Sequence, residues 1–319
     1  MILRLVATAV LAGCALPAVT QAAEPRPDAA FAFPPAGPRN PPPPSKTTMV
    51  SLPGVAVQFS EAQTRNVEHT IDWRPKEHPL PPPGVTGTGR PGAMACGFCH
   101  LPDGRGRPEN APLAGLPAAY IVAQVQAFAN GTRVAPGGPG PLMAKAALQL
   151  TPQELKATAA YFARVKYVSM VKVVEAGTIP KVDADHFIYH RAAGGGLEPL
   201  GTRIIEIPED MARFELRDSH LRFTAYVPPG AISRGRVLAA RGAKDGSDTC
   251  ASCHGVGLKG MDLAPPLAGR SPTYLFRQLY GFQSGDRHDA GATDMKRVTA
   301  QLTTAQMIDL AAYAGSLKP

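Results

Sequence analysis

Cys96-Gly97-Phe98-Cys99-His100 and Cys250-Ala251-Ser252-Cys253-His254 are two copies of one five-residue pattern, C-x-x-C-H. Two cysteines one helical turn apart can each form a thioether with a haem vinyl group. The histidine that follows is then held under the iron as proximal ligand. Apart from Cys14 near the start, these four are all the cysteines of the chain. That leaves none for a structural disulfide. A pair of C-x-x-C units can also bind zinc, but the histidine directly after each pair would then be a coincidence. A thioredoxin-like redox motif needs a βαβ context that the flanking sequence lacks. The pattern therefore points to two covalently bound haem c groups, on Cys96/Cys99 and Cys250/Cys253, with His100 and His254 as iron ligands.

The motifs head a longer internal repeat. An offset of 154 carries Cys96, Cys99 and His100 onto Cys250, Cys253 and His254, and Pro112-Leu113-Ala114-Gly115 onto Pro266-Leu267-Ala268-Gly269. It also pairs Tyr120 with Tyr274, Phe128 with Phe282, Gly131 with Gly285 and Arg133 with Arg287. Beyond the Gly/Pro-rich loop at residues 134–142 the offset becomes 152, pairing Met143 with Met295 and Ala160-Tyr161 with Ala312-Tyr313. Loops are where such length changes are tolerated. Thr151-Pro152-Gln153-Glu154 and Thr303-Thr304-Ala305-Gln306 both read as capping boxes that open a helix.

This arrangement resembles the small class I cytochrome c domains of dihaem cytochromes similar to cytochrome c4 and of cytochrome c553-like proteins. The resemblance covers about 170 residues in two blocks. It implies a mainly α fold of two small helical domains. In that family the distal methionine follows the second helix and precedes the C-terminal one, the place of Met143 and Met295. A thioether is a soft ligand that favours ferrous iron and raises the potential. Met94, Met211, Met261 and Met307 are read as packing residues. The sequence departs from the family twice. The family has a helix just before each C-x-x-C-H: residues 233–241 supply a candidate in the second copy, but residues 84–92 of the first are poor helix formers. Either residues 60–69, which read as one short helix, substitute from a distance, or the first haem is less covered. The family also has a proline whose carbonyl accepts from the proximal histidine. The second copy has Pro265, whereas the first has Ala111, which still offers a carbonyl.

Residues 1–22 read as an export signal, with Arg4, an apolar run and small residues, too short to span a membrane. No later segment is a transmembrane span. Leu11-Ala12-Gly13-Cys14 has the form of a lipoprotein processing site, which would leave a lipid anchor on Cys14; otherwise Cys14 leaves with the leader. Residues 23–85 are proline-rich and read as an extended or disordered arm. Residues 86–170 form the first cytochrome domain and 231–319 the second. Between them, residues 171–230 read as a β-rich bridge packed on one or both domains, with a hairpin over 214–217 and 221–227.

The formal net charge is +8. Eight basic and three acidic residues fall in 86–170, seven and nine in 171–230, and eleven and seven in 231–319, whereas 23–85 balance. The mildly basic cytochrome domains predict redox partners with acidic docking surfaces, in encounters weakened by salt. Nucleic acid is excluded as a partner, because the basic residues form no run or reader motif. The expected function is electron transfer in the periplasm, by an exported dihaem carrier and not an enzyme. The alternatives are a dihaem cytochrome c peroxidase and the haem subunit of a periplasmic dehydrogenase. The peroxidase family has a distal histidine soon after its first motif, but here no histidine lies between His100 and His186. His186, His190, His220 and His288 could each replace a methionine, but read as surface or bridge residues.

Overall fold

A computed structural model describes residues 24–37, 43–135, 139–241 and 249–319. Two helical units carry the motifs. The first contains the helices Cys96–His100, Ala118–Ala129, Gly140–Gln149 and Pro152–Arg164. The second contains Ala231–Arg241, Cys250–His254, Pro272–Ser284, Thr293–Thr299 and Thr304–Ser316. Both expected capping boxes form. Thr151 accepts from the Glu154 amide and Thr303 from the Gln306 amide, and each third helical residue reaches back to its cap. The leader and Cys14 lie outside the described residues. No helix among the described residues is long and apolar enough to cross a membrane.

The helix ahead of the second motif, Ala231–Arg241, lies along Thr304–Ser316. Gly235 permits this approach, because a Cβ there would collide with the Asp309 carbonyl. Arg234 then grips the Asp309 carboxylate, Nε and Nη2 donating at 2.9 and 2.8 Å. The first unit uses a shorter device. Pro83–Thr86 forms a single helical turn against Pro152–Arg164, with Gly84 against Thr158. Residues 60–69 do not substitute for the missing helix. Their helical part is only Glu61–Thr64, capped by Ser60.

Equivalent packing positions have exchanged bulk between the copies. Gly104 has φ +68° and abuts Phe162. Its counterpart Leu258 keeps the left-handed conformation at φ +57°, and the counterpart of Phe162 is Ala314, in one core cluster with Leu258. A large side chain on either strand of the contact fills the space, and one on both would overpack it.

The segment between the units differs from the expected hairpin. Residues 211–215 are a short helix, Met211–Glu215, capped by Asp210. Phe223–Val227 is the central strand of a three-stranded sheet, parallel to Val171–Glu175 and antiparallel to Ile205–Pro208. This segment packs on both units. Ile188, Phe214, Leu221 and Phe223 pack with Met170 around Leu101 of the first, whereas Ile204 and Val227 join the core of the second.

The proline-rich arm is also not free. Ala29, Phe31 and Ala32 are buried on the helix Pro272–Ser284, with the Phe31 and Phe276 rings 4.8 Å apart. Leu52, Ile71 and Trp73 form a small cluster of their own, and the Trp73 indole N–H donates to the Leu216 carbonyl at 2.6 Å.

Arg270 joins the two units. Its guanidinium donates to the Pro112 and Ala114 carbonyls of the first unit at 2.6 and 3.0 Å, and to Pro266 of its own at 2.6 Å. It lies over the Tyr167 ring, 4.4 Å from the centroid, and is 2% exposed. Arg270→Ala would leave buried carbonyls without donors, so urea unfolding should show a loss of about 2–5 kcal/mol.

Glu206 provides a second check. It is buried, accepts from the Ser271 hydroxyl at 2.7 Å, and burial raises its pKa to about 7. An acid whose folded pKa is raised contributes stability below its unfolded pKa and loses it as pH rises through the folded value. Stability should therefore fall between about pH 5 and 8, by roughly 3 kcal/mol at most. Glu206→Gln should flatten that part of the profile in thermal unfolding measured across pH.

Candidate functional site

Each C-x-x-C-H forms one helical turn, and the chain then folds back beneath the histidine. The Gly106 amide donates to the His100 carbonyl at 3.0 Å, and the Gly260 amide to the His254 carbonyl at 2.8 Å. Leu113 donates to Gly104, and Leu267 to Leu258, both at 2.8 Å. These bonds bring the residue eleven positions after each histidine beside its ring. His100 Nδ1 lies 2.7 Å from the Ala111 carbonyl, and His254 Nδ1 lies 2.9 Å from that of Pro265. With Nδ1 carrying the proton, Nε2 presents its lone pair to the pocket, as ligation requires. Burial lowers the pKa of both histidines, which favours the neutral ring. The change from proline to alanine at position 111 leaves this bond intact.

Cys96, Cys99, His100 and Met143 line one pocket, and Cys250, Cys253, His254 and Met295 line the other. The structure thus brings together each set of four expected site residues. The methionines sit within the helices Gly140–Gln149 and Thr293–Thr299, not in the loops before them. Cys96, Cys99 and Cys250 are half-buried at the pocket walls, and Cys253 is exposed. Met94 also borders the first pocket, whereas Met307 is a buried core residue and Met261 is exposed. His186, His190, His220 and His288 line neither pocket.

The two pockets meet at a seam with near two-fold symmetry. Arg133 and Arg287 pair antiparallel through their backbones. The Val134 amide donates to Asp286, and His288 to Thr132, at 2.8 and 2.9 Å. Side chains then cross. Arg133 donates to Gln124 and to Gln278, both at 2.7 Å, and Arg287 donates to Gln278 at 3.1 Å and to Gln124 at 2.8 Å. Gln124 and Gln278 are repeat counterparts. The repeat flagged the two arginines, but their convergence was not visible, because it depends on how the units dock.

Arg133 and Arg287 are 8% and 4% exposed, and neither forms an ion pair with a carboxylate among the described residues. Burial and the neighbouring guanidinium lower the Arg133 pKa. Two adjacent buried cations are costly unless anions offset their charge. The carboxylates of a haem in each pocket are anions of the right kind. Apolar walls, thiols, an imidazole and a thioether complete a donor set that fits the group.

Comparisons with known proteins agree. The Cytochrome c family model matches residues 239–318. Cytochrome c4 of Stutzerimonas stutzeri is 27% identical over 240 residues, covering 73% of this chain and 90% of that protein. The thiosulfate dehydrogenase electron acceptor of Thiomonas intermedia is 29% identical over 221 residues, covering 68% and 75%. Cytochrome c-554(548) of Halomonas halodenitrificans is 32% identical over 78 residues, 24% of this chain and 94% of that protein. Among solved structures, reduced recombinant cytochrome c4 from Pseudomonas stutzeri aligns at 24% identity and TM-score 0.46, over 70% of this chain and 93% of that one. On these matches the chain belongs to the cytochrome c family and is homologous to cytochrome c4 over about 73% of its length.

Proposed function

We propose that this protein is an exported dihaem cytochrome that carries single electrons between periplasmic redox partners. The observation that carries the reading is the pair of equivalent pockets meeting at Arg133 and Arg287. Haem c bound in each pocket would supply reversible one-electron exchange. Cys96 and Cys99 would tether one group, and Cys250 and Cys253 the other. His100 and His254 are held by carbonyls with Nε2 free for iron. Met143 and Met295 are the sixth ligands in this reading, and their thioethers favour the ferrous state. Arg133 and Arg287 offset propionate charge inside the protein, and their shared glutamines link the two pockets. We assign residues 86–170 and 231–319 to the two cytochrome domains.

The same arrangement favours a carrier over a peroxidase. A methionine borders each pocket, and the four candidate replacement histidines lie elsewhere among the described residues. The basic balance of the cytochrome domains supports partners with acidic surfaces. A second reading, electron acceptor for a periplasmic dehydrogenase, draws on the similarity to the thiosulfate dehydrogenase electron acceptor. It adds a fixed donor to the same chemistry.

The intact mass of the mature protein should show two haem additions; one or none would sink the dihaem reading. The same spectrum reports whether Cys14 is retained with lipid. The ferric protein should show the weak near-infrared band of iron–methionine bonding. Met143→Ala and Met295→Ala should each remove about half of it. Stopped-flow mixing with carbon monoxide should show no fast binding, and with hydrogen peroxide no turnover at about 1–10³ per second.

A further inference from the structure

His78 sits where the proline-rich arm meets the first unit, and its side chain is 2% exposed. Each ring nitrogen faces an acceptor. Nε2 lies 3.2 Å from Asp72 Oδ2, and Nδ1 lies 3.0 Å from the Pro79 carbonyl oxygen. A carboxylate and a carbonyl have no proton to give, so both nitrogens carry one and the ring is an imidazolium. The Tyr161 hydroxyl is 2.9 Å from Nδ1, but it donates to the Pro102 carbonyl at 2.7 Å. Towards the charged ring it is therefore an acceptor.

The groups facing the ring come from three places. Asp72 lies on its own segment, Tyr161 on the helix Pro152–Arg164, and Asp103 on the loop after Cys96–His100, where Arg105 pairs with it at 2.9 Å. The contact with Asp72 raises the His78 pKa above its ordinary 6.5; burial opposes this, and the Pro79 carbonyl and Asp103 add to the rise. Loss of one proton changes the inventory. The proton facing the Asp72 carboxylate stays, and Nδ1 becomes an acceptor. The Tyr161 hydroxyl is the donor at hand. Turning to Nδ1, it leaves the carbonyl of Pro102, a buried residue in the loop that leads from His100 to Ala111.

We propose that His78 is a proton-operated switch on the first unit: charged, it leaves the Tyr161 hydroxyl on the Pro102 carbonyl, and neutral, it takes that hydroxyl for itself. His78 and Tyr161 are positioning residues that act on His100 through the loop 101–111. The inference goes beyond the carrier reading and does not depend on it. The hold on the loop is complete at acid pH and is lost as pH rises through the folded pKa of His78. The Gly104 and Gly106 amides, which donate to the Leu101 and His100 carbonyls at 3.0 Å, lie in this loop and report its closure. The equivalent loop of the second unit is an internal control. There Val256 stands at the place of Pro102 and is 91% exposed, and the Leu258 and Gly260 amides make the matching bonds to Gly255 and His254.

The test uses the full-length protein as purified, under reducing conditions, from about pH 5 to about pH 9. Histidine nitrogen-15 shifts should show both His78 nitrogens protonated at the acid end, with the Nδ1 proton lost as pH rises. Exchange of the Gly104 and Gly106 amides, corrected for the intrinsic effect of pH, should speed up roughly fivefold over the same titration. Leu258 and Gly260 should show no such step, whereas a global loss of stability through Glu206 would appear in both loops. His78→Gln and Tyr161→Phe should each abolish the step. Asp72→Asn should move its midpoint down by about one pH unit, and decides the matter if His78→Gln does not fold. His220→Gln, which removes the histidine beside Glu77, should leave the step in place. The inference is overturned if His78 is neutral at the acid end, if the step survives in Tyr161→Phe or His78→Gln, or if it appears equally at Leu258 and Gly260. An unmoved midpoint in Asp72→Asn, or loss of the step in His220→Gln, overturns it too. A protein purified without haem would sink the carrier reading, and the same shifts and exchange rates would still decide this one.

Discussion

Two guanidinium groups held side by side in the interior set the terms for this protein. Arg133 and Arg287 share Gln124 and Gln278 as acceptors, and neither ion-pairs with a carboxylate among the described residues. Left uncompensated, such a pair would push the units apart. It is tolerable where each pocket brings its own negative charge to the seam. With haem in each pocket, as proposed, cofactor binding and domain docking would be linked. A unit of roughly 85 residues has a small core, and the pocket runs through its middle. Arg270 reinforces the joint by donating to carbonyl acceptors of the first unit.

The repeat explains the symmetry of the seam but not the rest of the molecule. The loops after both motifs share hydrogen bonds, from Gly106 and Gly260 and from Leu113 and Leu267, but differ at Gly257 and Asp262, where only the second copy has positive φ. An arm and a bridge pack around the first copy and also join the core of the second. Phe33 and Pro34 of the arm and Phe187 of the bridge reach the wall of the first pocket. Phe187 gets there through a turn in which His186 and Phe187 both have positive φ, at 53° and 65°. Backbone strain of this kind persists only where neighbours hold it. Here the His186 and Phe187 amides donate to Ala36 and Pro35 of the arm. With Tyr274, Arg277 and Gln278 of the second unit, the first pocket is walled by segments from four parts of the chain.

How much of this was legible depended on the range of the interactions. Both C-x-x-C-H turns, both capping boxes and the helix ahead of the second motif are local, and the sequence showed them. The pairing of Met143 with Met295 was readable because a repeat compares the chain with itself. The hairpin over 214–227 misled because alternation over four residues does not separate a strand from one helical turn. Asp210, as N-cap, decided for the helix Met211–Glu215. The partners of Phe223–Val227 are Ile205–Pro208 and, parallel and about fifty residues away, Val171–Glu175, and no turn signal announces the parallel pairing. The arm misled for a related reason. It has no periodicity, yet Phe31 and Ala32 are buried against Phe276 and its neighbours. Short aromatic anchors dock a proline-rich chain without making it regular.

The departures from the family pattern resolve in the same terms. What the proximal histidine needs is a carbonyl at the right distance, and Ala111 supplies one 2.7 Å from Nδ1 just as Pro265 does at 2.9 Å. Proline would only have restricted the backbone there. The missing helix ahead of the first motif is answered by a turn, Pro83–Thr86, with Gly84 against Thr158. The bridge then supplies cover that a longer helix would have given, at Leu101 and Phe98. The second unit has a helix ahead of its motif, and among the described residues the bridge does not cover its loop. That division of cover, more than any difference between the motifs themselves, is what makes the two pockets unequal.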